Sequence, residues 1–167
     1  MIEVNYSGKW SAADFFERLT ATNKLTREHG FVFCRVSGLQ GFLDVISANS
    51  SAPNVIAVDD TSEGYARIDN SPHRSMVKSV YMSMRHKAGD QNLRELCLTI
   101  MAEIFRQFMS KLILERTQLQ QQLARLDPRI AFSEIDKYFC AGSSCTYFQI
   151  SIDLDTDMRY NPDEWLQ

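Results

Sequence analysis

The sequence predicts an α+β fold, a mainly antiparallel mixed sheet with one long central helix and shorter helices packed on it. In residues 76–85 the even-numbered side chains are more apolar than the odd-numbered ones, and this period of two is typical of a strand with one buried face. Residues 93–113 repeat apolar side chains at three- and four-residue steps, which indicates a helical stripe wide enough to cover a sheet. Residues 130–139 and 145–154 flank a short turn-like segment and predict a C-terminal β-hairpin.

Length and composition favour one ordinary globular domain spanning residues 1–167. Hydrophobic residues make up 44% of the chain and charged residues 23%, which excludes a wholly disordered or collagen-like protein. The net charge of −3 argues against general electrostatic capture of nucleic acid or anionic lipid. No apolar stretch approaches the ~20 residues that cross a bilayer, so we expect a chain that stays in the cytosol where it is made.

The first third of the chain predicts two helices separated by a strand. Ser11 followed by Asp14 indicates a capped helix start, and this helix is expected to close near Asn23. Phe31–Val36 is too short for an ordinary helix and rich in strand formers, which predicts a largely buried strand. A short amphipathic helix follows, with its apolar face at Leu39, Phe42, Leu43 and Ile46.

Three strands joined by tight links are expected next, at Val55–Val58, Tyr65–Ile68 and Met76–Arg85. Consecutive strands with short connections predict an antiparallel meander. In the last strand, the more apolar even-numbered side chains are expected to face a core. The odd-numbered side chains are expected to face water or a partner.

The long helix begins after Asp90, and its length raises a packing problem. Continued to Leu126 it would measure about 37 residues and roughly 55 Å, more than a compact domain of this size covers. We therefore expect residues 114–128 either to project as a helical extension or to break. This part carries a narrow leucine stripe, which we expect to contact another helix or another subunit. The stripe consists of Leu119, Leu123 and Leu126.

The most suggestive metal-binding spacing lies at the C-terminal end. Positions 1, 3, 5, 9 and 12 of a calcium-loop template are occupied by Asp153, Asp155, Asp157, Asn161 and Glu164. However, Met158 stands where the loop requires glycine, and a strand rather than a helix leads into the segment. The favoured interpretation is that the aspartates continue the solvated face of the last strand, so we expect no resident metal.

Other chemical motifs are weak. Cys140 and Cys145 could supply half of a zinc site, but a second paired motif is missing. A magnesium site could be imagined from Asp59, Asp60, Glu63, Glu134 and Asp136, although turn formation and strand exposure explain these residues better. The sequence contains no phosphate-binding loop and no nucleophile elbow. We expect neither enzymatic activity nor a cofactor.

The order of elements resembles the small tail terminator or tail-completion proteins of tailed bacteriophages and related contractile injection particles. The similar parts span about three quarters of the chain: Val55–Asp60 with Glu63-Gly64-Tyr65, Met76–Arg85, Asp90–Lys111 with Ile104–Phe108, Tyr147–Asp157, and Arg159–Trp165. The resemblance implies a self-assembled ring, usually of six copies, which closes a tail tube and meets the head-side connector protein. It also implies assembly in the bacterial cytoplasm and a final place in the tail or neck of the virion.

A ring subunit needs repeatable contacts and an inner surface that does not hold passing DNA. We expect the subunit interfaces to use Leu119, Leu123, Leu126, Tyr81 and Tyr147. We expect the inner surface to be lined by Asp153, Asp155 and Asp157, which would repel phosphates. The partners would then be other copies, the tail tube protein and the connector, with DNA only in transit and no membrane. Two alternatives remain: a cytosolic adaptor that uses the helix at 114–126, and a small enzyme with a dispersed site.

Overall fold

A computed structural model describes residues 10–48, 54–61, 63–69, 72–121, 124–134, 142–155, 160 and 162–164. The helices are α1 (Ala12–Thr22), α2 (Lys24–Glu28), α3 (Gly38–Ala48) and α4 (Gln91–Gln121). The strands are β1 (Val32–Val36), β2 (Val55–Asp59), β3 (Glu63–Arg67), β4 (His73–Arg85), β5 (Ala124–Leu126), β6 (Ala131–Glu134) and β7 (Ser143–Asp155). A single turn of 3₁₀ helix follows at Pro162–Glu164.

All seven described strands form one mixed sheet built on the long central pair β4 and β7. β2 and β3 pair with β4 at its other edge, and β1 extends the sheet beyond β2. β5 and β6 both pair with the outer edge of β7. Among the described strands, only β1 and β2 pair in parallel, so the predicted α+β fold with a mainly antiparallel mixed sheet and one long helix is confirmed.

The predicted meander is wrong in one respect. β2 and β3 are consecutive in sequence, but they do not pair with each other. β2 lies beside Val80–Ser83, and β3 lies beside His73–Val77, so the two strands follow one another along the same edge of β4. At 13 residues, β4 is long enough to hold both shorter strands.

Helices α1 and α4 cover one face of the sheet, which we call the helix face. The even-numbered apolar residues of β4 lie on it, as its period-two pattern predicted, and those of β7 lie there too. Phe16 of α1 packs against Phe148 of β7 and Phe108 of α4, with ring centroids 5.5 and 5.9 Å apart. Closely packed aromatic rings of this kind add to the stability gained from burial.

Helix α3 covers part of the opposite face, which we call the α3 face. Val55 and Ala57 of β2 and Cys145 of β7 are buried there with Phe42 and Ile46 of α3. β2 is therefore buried on both faces. Its four consecutive apolar residues match that position, because a strand covered on both sides needs no polar alternation.

The helix boundaries near the N-terminus follow the predicted caps. The Ser11 side chain accepts a hydrogen bond from the Asp14 N–H at 3.2 Å, and α1 ends beside Asn23. Asn23 then caps α2 by accepting from the Thr26 N–H at 3.0 Å. The expectation of a largely buried strand at β1 is wrong, because β1 lies at the edge of the sheet and its Val32 is 45% exposed.

The segment after α4 folds back onto the sheet. α4 ends at Gln121, and β5 pairs antiparallel with the last residues of β7. Leu119 and Leu126 are 1% and 4% exposed. Both lie in the core between the helix face of the sheet and the helices that cover it. The expectation that these two leucines contact another subunit is wrong, because their own domain buries them. Leu123 lies outside the described residues.

The predicted C-terminal hairpin is present as the antiparallel pair β6 and β7. β7 begins at Ser143, earlier than the expected start at Cys145. The reason is that Ser143 and Ser144 pair with Arg85 and Met84, so the length of β4 determines where β7 begins. Residues 135–141 of the expected first strand and turn lie outside the described residues.

Candidate subunit interface

Strand β3 provides an exposed edge on one side of the sheet. All five of its residues are exposed. It pairs with β4 on one side, and no strand in the described part of the chain pairs with its other side. A strand edge of this kind presents unpaired N–H and C=O groups, which another strand can use.

A glycine allows β3 to lie close to β4. A Cβ atom placed on Gly64 would come within 1.9 Å of the Ser75 carbonyl oxygen. Any larger residue would therefore push the β3 backbone away from β4, since this neighbour is backbone and cannot rotate aside. The close packing of β3 against β4 therefore explains why glycine occupies position 64 in the Glu63-Gly64-Tyr65 segment.

Two large apolar side chains accompany the β3 edge. Tyr65 is 60% exposed, and Ile68, just beyond the strand, is 87% exposed. The ring of Tyr65 contacts the imidazole of His73 edge-on, with centroids 6.1 Å apart. Arg67 and Asp69 form an ion pair at 2.7 Å at the end of the strand. The edge thus combines a strand side that no described strand pairs with, an apolar surface and a charged end.

Strand β6 provides a second edge on the opposite side of the sheet. It pairs with β7, and none of the described strands pairs with its outer side. Phe132 contacts Phe105 of α4, with ring centroids 5.5 Å apart, yet 61% of the residue is exposed. An aromatic ring held against a helix but left open to solvent is suited to contact with another chain.

An apolar groove lies beside the β6 edge, between α4 and residues 126–130. Its volume is about 540 Å³, and its lining includes Met109, Ile113 and Ile130. Ile113 is 69% exposed, and Leu114 next to it is 68% exposed. The surface next to the β6 edge is therefore also apolar, which strengthens the case for an interface on this side.

The structure does not support Tyr81 as an interface residue. Tyr81 is 7% exposed because α3 covers it, and burial raises the pKa of its hydroxyl group. Its neighbour Tyr147 is half-buried beside the same cluster. The prediction for Tyr81 is therefore wrong, since the odd-numbered face of β4 meets a helix of its own domain at this point.

Tyr65, Ile68 and Phe132 were not among the predicted interface residues. The sequence contains one usable signal for the first two, because Tyr65-Ala66-Arg67-Ile68 is a short strand between two turn segments. Short strands of this type often lie at sheet edges. Phe132 had no such signal, since its exposure depends on how β6 is placed against β7.

The acidic residues proposed for the inner surface have basic neighbours. Asp153 is half-exposed on β7, with Arg125 of β5 as its cross-strand partner. Asp155 is the cross-strand partner of His73 on β4. Asp157 lies outside the described residues. The negative charge of Asp153 is therefore partly balanced by Arg125 on the neighbouring strand.

The described residues contain no group of three or more His, Cys, Asp or Glu side chains that could hold a metal ion. Of the calcium-loop candidates, Asp157 and Asn161 lie outside the described residues, and Glu164 belongs to the 3₁₀ turn. Cys145 is buried on the α3 face, and Cys140 lies outside the described part.

The acidic residues at the end of β2 build a turn. The Asp59 carboxylate accepts hydrogen bonds from the N–H groups of Gly38 and Thr61, at 3.1 and 2.9 Å. Lys78 donates to the backbone carbonyl groups of Asp60 and Thr61 at 2.9 and 2.8 Å. Burial lowers the pKa of Lys78, and the two nearby aspartates partly offset this effect.

The residues considered for a magnesium site do not come together as one group. Glu134 lies on β6, which β4 and β7 separate from β2 and its Asp59. Glu63 lies on β3, at the edge opposite Glu134. Asp136 lies outside the described residues.

Comparison with known proteins gives no independent assignment. No protein-family model matches the chain, and no match is found among curated proteins. Within the described residues, no helix is both long enough and apolar enough to span a membrane. The functional interpretation therefore rests on the two strand edges and on the order of elements.

Proposed function

We propose that this protein is a structural subunit that assembles into a ring, closes a phage-like tail tube and joins it to the head-side connector. The observation that carries the proposal is the pair of exposed edges, β3 and β6, on opposite sides of one sheet. A subunit with two different adhesive edges can join head to tail, and such contacts produce rings when the rotation closes.

The tail-specific part of the proposal comes from the resemblance in element order. The order of helix, strand, helix, strands, long helix and terminal hairpin along this chain resembles that of small tail terminator proteins. Tail terminators of this type act through assembly, with other copies, the tube protein and the connector as partners. The exposed apolar surface at Ile113 and Leu114 offers a second contact region for such a partner.

DNA would pass through the ring without being bound. We propose that Asp153, Asp155 and Asp157 face the opening, where carboxylates repel phosphates. Because Arg125 lies opposite Asp153, the repulsion would be weaker than the sequence alone suggests. Lysine substitutions at the three aspartates should slow DNA delivery by assembled particles. Normal delivery by assembled triple variants would remove this role.

The ring is tested by measuring mass across a concentration series. Six copies of the 19.2 kDa chain give about 115 kDa, and a closed ring gives one discrete mass rather than a continuous rise. Mass photometry and light scattering would measure the mass, and electron microscopy would show the central opening. A 19.2 kDa species at every concentration would contradict the proposal.

An adaptor role is the second candidate, and the exposure of α4 favours it. Leu119 and Leu126 cannot serve such a role because they are buried, but Ile113 and Leu114 remain open beside the groove. An adaptor of this kind would be a monomer or a dimer in isolation. The same mass measurement therefore separates the two functions.

A further inference from the structure

We propose that neighbouring copies join through antiparallel main-chain pairing between β3 of one copy and β6 of the next, with Ala66 opposite Phe132. This inference rests on the proposed ring function and specifies its interface. The occupant of each edge is a second copy of the chain, because the two edges of one molecule match each other in direction, side-chain face and charge.

The strand directions make the pairing antiparallel. β3 runs opposite to β4, β4 runs opposite to β7, and β6 runs opposite to β7. β3 and β6 of one molecule therefore run in opposite directions. When a second copy continues the sheet with its helix face on the same side, its β6 edge meets β3 as an antiparallel partner.

The side-chain faces limit the possible registers. Ala66 pairs with Arg74 on β4, and strand alternation places it on the helix face. Phe132 pairs with Phe148, which is fully buried on that same face. Residues opposite each other in a ladder share a face, so registers shifted by one residue are excluded.

Charge selects among the remaining registers. With Ala66 opposite Phe132, Ile68 lies opposite Ile130 and Asp69 lies opposite Arg129. A shift of two residues in one direction places Arg67 opposite Arg129, which sets like charges against each other. The opposite shift places Ala66 opposite Glu134 and separates Asp69 from Arg129. Only the proposed register combines the apolar pairs with the oppositely charged pair.

The pairing also covers the exposed apolar side chains. Ile68 and Phe132 are 87% and 61% exposed, and the ladder would bring both to the same face of one interface. β5 offers a less suitable edge because it has three residues and its Leu126 points into the core. β6 is therefore the better partner for β3.

The two edges lie at different heights along the sheet. β3 pairs directly with residues 73–77 of β4. β6 pairs with residues 146–149 of β7, which in turn pair with residues 79–82 of β4. The offset is about six residues, or roughly 20 Å at 3.3 Å per residue. Closure would require strands tilted against the ring axis, as strands are in closed barrels.

Cysteine cross-linking tests the register. Tyr65 and Ser133 lie opposite each other in the proposed ladder, so a Tyr65→Cys/Ser133→Cys variant should form disulfides between copies under mild oxidation. We expect a ladder of covalent oligomers, at least tenfold more abundant than in the matched control Tyr65→Cys/Ala131→Cys. Peptide mass spectrometry would identify the 65–133 bond, so the native cysteines can remain in place.

A charge exchange provides a second, independent measurement. Asp69→Arg alone should weaken assembly about tenfold, and adding Arg129→Asp should restore it. Failure of the double variant to recover assembly would overturn the register.

Measuring the assembled mass of the unmodified chain, together with the cross-links, distinguishes failure of the ring function from failure of the edge pairing. A discrete ring whose 65–133 bond is no more abundant than the control bond would overturn the edge pairing and leave the ring function standing. An open filament or a dimer cross-linked at 65–133 would support the pairing and overturn the ring. A 19.2 kDa monomer at every concentration would overturn both.

Discussion

The aromatic ring of Phe42 in α3 stacks on the ring of Tyr81 in β4, with centroids 4.8 Å apart and planes inclined by 17°. Phe42 is fully buried and Tyr81 is 7% exposed. The stack fastens α3 to the sheet and gives this end of the α3 face a core of its own. Tyr81 thus contributes to the stability of the domain.

Replacing Tyr81 with alanine should lower the free energy of unfolding by about 3–5 kcal/mol, because removing a buried aromatic ring leaves a cavity. Urea denaturation followed by circular dichroism would measure the loss. The control Tyr81→Phe keeps the ring on Phe42 and should cost less than about 1.5 kcal/mol. A loss below about 1 kcal/mol for the alanine variant would contradict the packing seen here.

The period-two pattern of β4 correctly predicted one buried face but could not predict what covers the other. Val80 and Met82 face the helices as expected. Tyr81 is buried because β1, α3 and β2 form a parallel unit that places α3 over it. The uninterrupted apolar run Val55–Val58 carried a hint of this arrangement, since such runs are typical of strands covered on both faces.

The candidate interface was harder to predict because an edge is a property of the whole sheet. The sequence of β3 indicates a short strand, but whether its outer side is open depends on where β2 ends along β4. The prediction that the leucine stripe contacts another helix or subunit was wrong for a related reason. Leu119 and Leu126 form a regular pattern, yet α4 ends between them and each reaches the core separately.

Gly64→Ala should detach β3 while leaving the rest of the domain folded. The added methyl group would lie 1.9 Å from the Ser75 carbonyl oxygen, so β3 must move away from β4. We expect a loss of about 1–3 kcal/mol, as for other overpacked sites. Hydrogen exchange by mass spectrometry should show faster exchange confined to residues 63–67 and 73–77.

Gly41→Ala is the matched control for this substitution. A Cβ atom at Gly41 would meet Val36 at 3.6 Å, an ordinary contact, and alanine favours the helix. This variant should be as stable as the parent chain or more stable by up to about 1 kcal/mol. If both variants exchanged at the parent rate in β3, the close approach of Gly64 to Ser75 would be wrong.

Glu103 should titrate at unusually low pH. Arg106 donates two hydrogen bonds to its carboxylate, at 2.8 and 2.6 Å, and Gln107 donates a third. These bonds lower the pKa of Glu103 from 4.5 to about 2. Since the folded-state pKa is lower than the unfolded one, the contribution of this group to stability is present above pH 4.5 and is lost as the pH falls towards 2.

Carboxyl carbon NMR would measure the Glu103 titration directly. In an Arg106→Ala variant, the pKa of Glu103 should rise towards its ordinary value because its strongest donor is gone. An Arg116→Ala variant, which changes another exposed arginine of α4, should leave the titration of Glu103 unchanged. A wild-type midpoint near pH 4.5 would show that the hydrogen bonds do not persist in solution.

Thr146→Val should stabilise the protein, whereas the same change at Thr26 should destabilise it. Both side chains are buried. Among the described residues, the Thr146 hydroxyl group has no hydrogen-bond partner, whereas the Thr26 hydroxyl group donates to the Thr20 carbonyl oxygen at 2.6 Å. Valine keeps the branched shape and removes the polar atom. At Thr146 the substitution removes an uncompensated desolvation cost of about 1 kcal/mol. At Thr26 it leaves a carbonyl group without its donor, which costs about 1–3 kcal/mol. Urea denaturation of the two variants measured side by side would give opposite shifts of the midpoint, and a loss of stability at Thr146 would mean that its hydroxyl group has a partner in solution.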